Sequence, residues 1–467
     1  MTRSECTAST DCMMRTAILT ALVILLWASL ITLFIITDAS AERVVGLEEA
    51  VETALRDNPA IRALDNSVLA GREEIGVAMS ALLPRVTFEE RYMRTNNPTS
   101  AFSSKLNQER FTQADFALDA LNSPEAIDDF QTSVSLEQPL FVKEAYVRLK
   151  MAKKEAGALG LDLRRKKEAV ALEVTRAYLG VQTAREFVRA AERALEESRE
   201  HKRIAEARFR EGLGLYSDTL RTDAFLKEAE ERLIRAVKNL EVAKRALGLM
   251  LGIEESLDVT DERPSAVTLP IEEYTATALE RSDIKALEKR LENADNAVRL
   301  AKAGYLPTVG IGGTYQWNNH NPALGGEGQS YHVMAFLRWT IFDGTKREHE
   351  KAKAHYKAME VSELLEGLKK EVLFRVYEAY LGVEEAGKAL ELARARERAA
   401  EEGRRLVKVR YENSLSTVVD LMDAQSALDA ARADVAGKQN DYLVAVSELK
   451  YRSGLMLEDY VKETNND

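Results

Sequence analysis

Val170-Ala171-Leu172-Glu173-Val174-Thr175-Arg176-Ala177-Tyr178-Leu179-Gly180-Val181 and Val372-Leu373-Phe374-Arg375-Val376-Tyr377-Glu378-Ala379-Tyr380-Leu381-Gly382-Val383 are two versions of one segment. In the first, Val170, Val174, Ala177, Val181, Ala184, Val188, Ala191 and Leu195 follow one another at spacings of four and three. In the second, Val372, Val376, Ala379, Val383, Ala386, Leu390 and Ala393 repeat the stripe. An apolar repeat every seven residues is a helix that supercoils left-handedly on a neighbour, and the alanines let the two backbones approach closely. The helical pattern runs from about Lys143 to Glu211, which at 1.5 Å per residue is a rod of about 100 Å. No compact domain needs a rod that long.

Outward from this segment, the rest of the chain is duplicated too. Thr53-Ala54-Leu55, Ile61-Arg62-Ala63-Leu64 and Leu83-Pro84 return as Thr277-Ala278-Leu279, Ile284-Lys285-Ala286-Leu287 and Leu306-Pro307, and Arg208-Phe209 returns as Arg410-Tyr411. The first copy is longer, and the surplus lies between Pro84 and Phe141. Repeats of this kind decide a fold before any local propensity does. The sequence divides into a first structural repeat over 42–263, a linker over 264–271 read from Pro264 and Pro270, a second repeat over 272–455, and a polar tail over 456–467. Each copy reads helix, strand pair, very long helix, turn, long helix.

The strand pairs show in the period of two. Val309, Ile311, Gly313, Tyr315 and Trp317 alternate with small or polar residues, as do Tyr331, Val333, Ala335, Leu337, Trp339 and Ile341. Proline pushes the residue before it into the extended region, so Leu306-Pro307 ends the incoming helix. In the first copy Val86, Phe88 and Tyr92 alternate with charges, Thr132–Leu140 supplies the return strand, and Asn96–Gln131 reads as a long loop. The glycines at 325 and 326 open no helix, so they read as a surface loop and not as a phosphate cradle.

Composition fits rods standing in water. The chain has 467 residues, a formal charge of −11, 30% charged and 45% apolar residues, which excludes a bundle of membrane-spanning helices. The nine prolines leave Leu140–Arg263 and Ala323–Asp467 free of them, as very long helices require. An acidic balance argues against nucleic acid. Cys6 and Cys12 both precede an apolar run, Ala17–Ile36, that ends in Ala39-Ser40-Ala41. The expectation is a signal peptide over 1–41, cleaved before Glu42; a run of that length also suffices for an uncleaved anchor. The remainder has no cysteine, hence no disulfide framework and no thiolate metal site.

Four strands per chain cannot close on themselves, and unpaired edges are a liability in water and prohibitive in lipid. Membrane barrels begin at about eight strands, so two or more chains are needed, and three would supply twelve. The residues imply an exported oligomer of helical rods and strands, without fixing the copy number.

The duplicated halves, the strand pair after each Leu-Pro, the AYLGV segments at 177–181 and 379–383, and the turns Gly212-Leu213-Gly214…Asp218 and Ser414-Leu415-Ser416…Asp420 together resemble the TolC-type outer-membrane channel family. The likeness spans about 45–455, carried by order and spacing in duplicate. It implies a mainly α fold with a small β part: long coiled-coil hairpins and strand pairs that trimerise into a twelve-stranded barrel in the outer membrane and a periplasmic helical tunnel. It further implies a passive exit duct in a tripartite efflux or type I secretion system, with a periplasmic adaptor, an inner-membrane transporter and outer-membrane lipid as partners, and neither cofactor nor enzyme activity. Two other classes compete. A periplasmic adaptor predicts one hairpin between β-domains, and a coiled-coil structural protein without a pore predicts no membrane strands.

In that family the tunnel narrows near the hairpin turns, here Glu211–Asp218 and Asn413–Asp420. The pattern of two aspartates after the second turn falls on Asp420 and Asp423, which one helical turn places on one face. Three copies would stack two carboxylate rings that attract cations. Tyr411 matches the family's tyrosine, whereas Ser416 stands where the family has an arginine, so an arginine latch does not carry over; Arg404, Arg405 and Arg410 are the replacements at hand. Thr417-Val418-Val419-Asp420 equally fits a capping box. In the first copy Asp218 matches Asp420, but Arg221 replaces the second acid. Gly212, Leu213, Gly214, Ser217 and Asp218, with Ser414, Leu415 and Ser416, are the expected adaptor contacts. The five histidines lack metal-ligand spacing, and no carboxylate pair is set in a pocket for acid–base work. Tyr92, Trp317, Tyr331 and Trp339 are candidate aromatics of a membrane interface.

Overall fold

A computed structural model describes residues 43–254, 257–266, 268–458 and 460, so the apolar run read as an export signal lies outside the described residues. The first half runs β1 (Arg43–Val45), α1 (Leu47–Asp57), α2 (Pro59–Ser80), β2 (Arg85–Thr95), α3 (Pro98–Asn107), a 3-10 turn (Gln113–Phe116), α4 (Leu118–Asn122), β3 (Ile127–Phe141), α5 (Lys143–Arg210) and α6 (Tyr216–Leu251). β4 (Leu257–Val259), paired with β1, closes the first half, and the second runs α7 (Ile271–Ala278), α8 (Ser282–Ala303), β5 (Thr308–Asn319), β6 (Gly328–Arg338), α9 (Lys346–Glu412) and α10 (Val418–Ser453). The duplication is close to exact in length: α5 and α9 have 68 and 67 residues, and α6 and α10 both have 36.

Local chemistry sets the boundaries. Asn58 caps α2 by accepting from the Ala60 amide at 2.9 Å, with Pro59 at the first helical position where its missing N–H costs nothing. Hence each copy opens with two helices where the sequence suggested one. Gly252 (φ 70°) and Gly454 (φ 83°) end the return helices in the left-handed conformation, which lets the Ile253 and Leu455 amides reach back to Gly248 and Lys450.

The predicted stripes are the core. Val170, Val174 and Val181 of α5 are buried with α1, α2, β4 and the end of α6, and Val372, Val376 and Val383 of α9 are buried with α7, α8 and Val446 and Leu449 of α10. Met456 and Tyr460, within the stretch read as a polar tail, are buried in the first of these clusters. Arg165 ties the halves together by donating to the Tyr451 carbonyl at 2.9 Å and lying 3.7 Å from that ring's centre.

The four long strands form one antiparallel sheet in the order β2-β3-β5-β6, with β2 and β6 at its edges. Its register sorts the side chains into two sets. Val86, Phe88 and Tyr92 pair with Leu136, Val134 and Phe130, which continue through Gly313 and Tyr315 to Val333 and Tyr331; this face is mainly apolar and aromatic, with Glu90 paired to Thr132 within it and Arg94 to Asp128 at its outer end. The other face carries Arg91, Gln131, Ser133, Ser135, Thr314, Gln316, Asn318 and His332. Two expectations are corrected. β6 stops at Arg338, because Arg347 takes up the carbonyls of Thr340 and Ile341 at 2.9 Å each, so Trp339 and Ile341 lie past the strand. The stretch 96–131 is not one open loop: Asn97 caps α3 through the Ser100 amide at 3.1 Å, and β3 already begins at Ile127.

Candidate functional site

The hairpin turns are built alike from unlike residues. In the first, Gly212 (φ 71°) lets the Leu213 amide donate to the Arg208 carbonyl at 2.8 Å; in the second, Ser414 (φ 62°) does the same for Leu415 and Arg410 at 2.8 Å. Glycine enters that conformation freely, whereas serine is strained there. The strain at Ser414 is held by Arg208, which donates from Nη2 to the Ser414 hydroxyl at 2.6 Å.

Asp420 is the capping partner of α10. Its Oδ2 accepts from the Thr417 amide, the Thr417 hydroxyl and the Ser416 hydroxyl, each at 2.8 Å, while the Asp420 amide donates to Thr417 Oγ1 at 3.2 Å. These donors, the Thr417 amide first, hold its carboxyl below the usual carboxylate range. Ser416 therefore stabilises the acid it precedes. Asp423, one turn on, is exposed and has no partner among the described residues. Tyr411 is buried against Val418 and Leu421, and burial raises its phenol above the ordinary value. In the first turn Leu213, Leu215 and Tyr216 are exposed, as is Leu415 in the second.

Of the three arginines suggested as replacements, Arg405 pairs with Glu402 on its own helix and Arg410 donates to the Leu415 carbonyl of its own turn at 3.5 Å. Arg404 does cross between hairpins: it donates to Gln425 at 2.8 Å and stands 3.5 Å from Glu197 of α5. Around it lies a buried polar cluster that sequence reading missed. Gln425, fully buried, donates to Glu197 and, at 3.0 Å, to Asp429, whose carboxyl is raised by burial. His201 of α5 is buried beside them, neither ring nitrogen hydrogen-bonded among the described residues, and burial lowers its basicity. One signal was available: Glu197, His201, Gln425 and Asp429 are polar residues at helical spacings that continue the core faces of α5 and α10.

The chain matches the model of the outer membrane efflux protein family over 50–253 and 274–454, one match in each half. The chain belongs to that family. It is 24% identical to the alkaline protease secretion protein AprF of Pseudomonas aeruginosa, over 88% of this chain and 85% of that one. It is 23% identical to the outer membrane protein TolC of Vibrio cholerae, over 92% and 95%. Among solved structures the Campylobacter jejuni CmeC outer membrane channel superposes with a TM-score of 0.74 at 16% identity, covering 90% of this chain and 87% of its own. As an outer membrane efflux protein the chain is a passive channel for efflux or type I secretion, not an enzyme, and its helical part stands in the periplasm.

Proposed function

We propose that three copies close edge to edge into one duct, narrowest at the second hairpin turns. The reading is carried by the sheet, whose edges β2 and β6, unpaired among the described residues, lie on opposite sides and whose faces are one mainly apolar and one mainly polar. Pairing β2 of one copy with β6 of the next is a heterologous contact that closes into a ring and leaves no edge for lipid. Two copies give about eight strands, a barrel that side chains fill; three give about twelve, which leave a bore. Exposed apolar residues on the rods fit the same assembly, since Phe374, Tyr377 and Leu381 line one side of α9 and Ile234, Val242 and Leu249 one side of α6. The apolar turn residues are offered to a periplasmic adaptor that couples the duct to an inner-membrane transporter. Asp423, unpaired at the second turn, is the residue that faces the passage, with Asp420 fixing the turn and Tyr411 anchoring it. Light scattering of the detergent-solubilised protein should give the mass of three chains, and the same sample should conduct in a planar bilayer. A non-conducting monomer would reject the reading.

A further inference from the structure

The segment between β2 and β3 is folded back over the sheet, and it lands on the polar face at the end remote from the long helices. Asp129, which shares that face with Gln131 and Ser133, is only 3% exposed. Its carboxylate accepts from Ser104 at 3.3 Å and Gln108 at 2.9 Å, both from the α3 end of the segment, and from Asn318 of β5 at 3.0 and 3.2 Å. Gln108 also donates to the Asp128 carbonyl at 2.9 Å. At Gly328, the first residue of β6, a Cβ would stand 1.9 Å from the Asn107 carbonyl oxygen, so only glycine admits α3 this close. The segment has a small core of its own: Phe111 packs edge-on against Phe102 and Phe116 at 4.9 and 5.0 Å, and Lys105 pairs with Asp115 at 2.7 Å. Leu106, Phe116 and Leu118 nevertheless stay exposed, at 46%, 64% and 75%.

In a barrel with its apolar face to lipid, the polar face lines the bore, so this helical segment lies inside the outer mouth. Twelve strands about 4.8 Å apart and tilted about 40° enclose a backbone circle about 24 Å across. Three helices about 10–12 Å thick, side by side, need about 22–26 Å, which is the whole of that circle before the inward side chains of the strands are counted, so three segments meeting at the rim leave no open passage. We propose that residues 98–122 of the three copies meet on the axis and plug the outer mouth, with Leu106, Phe116 and Leu118 packing against the same segment of the other copies. This rests on the trimeric duct proposed above. Such a plug is a second barrier, at the opposite end of the duct from the hairpin turns, that cargo must displace on its way out.

Two measurements on the full chain in its membrane test this, in a background carrying Cys6→Ser and Cys12→Ser. With Leu118→Cys as the only thiol, oxidation should cross-link one copy to another. A protein that has the mass of three chains but stays uncross-linked overturns the plug alone, and a protein that is monomeric overturns the duct as well. With Ser133→Cys, on the bore face below the segment, a bulky polyethylene-glycol maleimide added to intact cells should react slowly. Replacing 98–122 by a short glycine-serine turn should speed that reaction by at least about tenfold. Gly328→Val, which wedges α3 off the sheet while keeping every other residue, should speed it in the same direction. Equal rates in all three proteins would overturn the proposal.

Discussion

Arg208 and Tyr411 belong to different hairpins and are joined twice: the guanidinium donates to the Tyr411 carbonyl at 2.7 Å and lies 4.8 Å from the centre of its ring. With its third contact, on Ser414, Arg208 is the principal tie between the two turns. It comes from the first repeat, whereas its duplicate Arg410 stays on its own turn. The two halves of the chain thus use the same residue for different ends.

Replacing Arg208 by Ala should free the second turn from the first. A charge-assisted bond at a half-exposed site contributes about 1 kcal/mol, enough to shift an open–closed balance several-fold. The expected result is a larger or more frequently open conductance in planar bilayers, with Arg208→Lys intermediate because one bond can be remade without the fork. An Arg208→Ala channel with unaltered current would show that the tie is structural only.

Thr417→Ala removes the cap of α10 and should cost about 1 kcal/mol locally. Amide exchange at 418–421 should quicken while the core amides around Val376 stay protected. Asp420 adds a pH dependence. Its carboxyl is lowered in the folded turn, so its contribution is present above the ordinary carboxylate pKa of 3.8 and lost as pH falls through the folded value. Protection of this turn should therefore hold at neutral pH and fail only in strong acid.

For Asp423 the expected outcome concerns ions. If its unpaired carboxylates ring the passage, Asp423→Asn should weaken block by multivalent cations and reduce cation preference in bilayer recordings. An unchanged current–voltage curve would leave Asp423 a surface acid.

His201 predicts acid sensitivity of the rods near the tips. Burial holds the ring neutral, Arg404 and Lys408 act in the same direction, and Glu197 opposes them without reversing the balance. A histidine whose folded pKa lies below its ordinary 6.5 contributes no penalty above that value, and its penalty grows as pH falls below it. His201→Leu should flatten the loss of thermal stability between neutral and mildly acidic pH. Identical pH profiles for the two proteins would exclude His201 as the source.

The long hairpins were legible because a seven-residue stripe of Val170, Val174 and Val181 leaves a coiled-coil helix as its one economical burial, and its repetition at Val372, Val376 and Val383 doubles the evidence. β5 and β6 were legible from strict alternation. The folded segment after β2 was not, since Pro98-Thr99-Ser100 has turn composition; the local signal was there in Asn97-Pro98, a cap followed by a proline at the first helical position. Cross-hairpin contacts such as Arg208 with Tyr411 join residues far apart in sequence, and no periodicity encodes which arginine will reach across. The capping reading of Asp420 was visible in Thr417-Val418-Val419-Asp420, because it depends only on neighbours in sequence.

The pairing of strands with helices has a consequence for calibre. Each of β2, β3, β5 and β6 adjoins one helix, α2, α5, α8 and α9 respectively, and towards the turns α6 and α10 stand beside α5 and α9 in place of α2 and α8. The wall therefore keeps four staves per chain from end to end. Four tilted strands about 4.8 Å apart cover about 25 Å of circumference, and four helices about 10 Å apart cover about 40 Å. The same stave number thus makes a narrow pipe in lipid and a wider one in the periplasm. Once the hairpin turns and the plug have given way, the short sheet and not the wall of long rods sets the largest object that can leave.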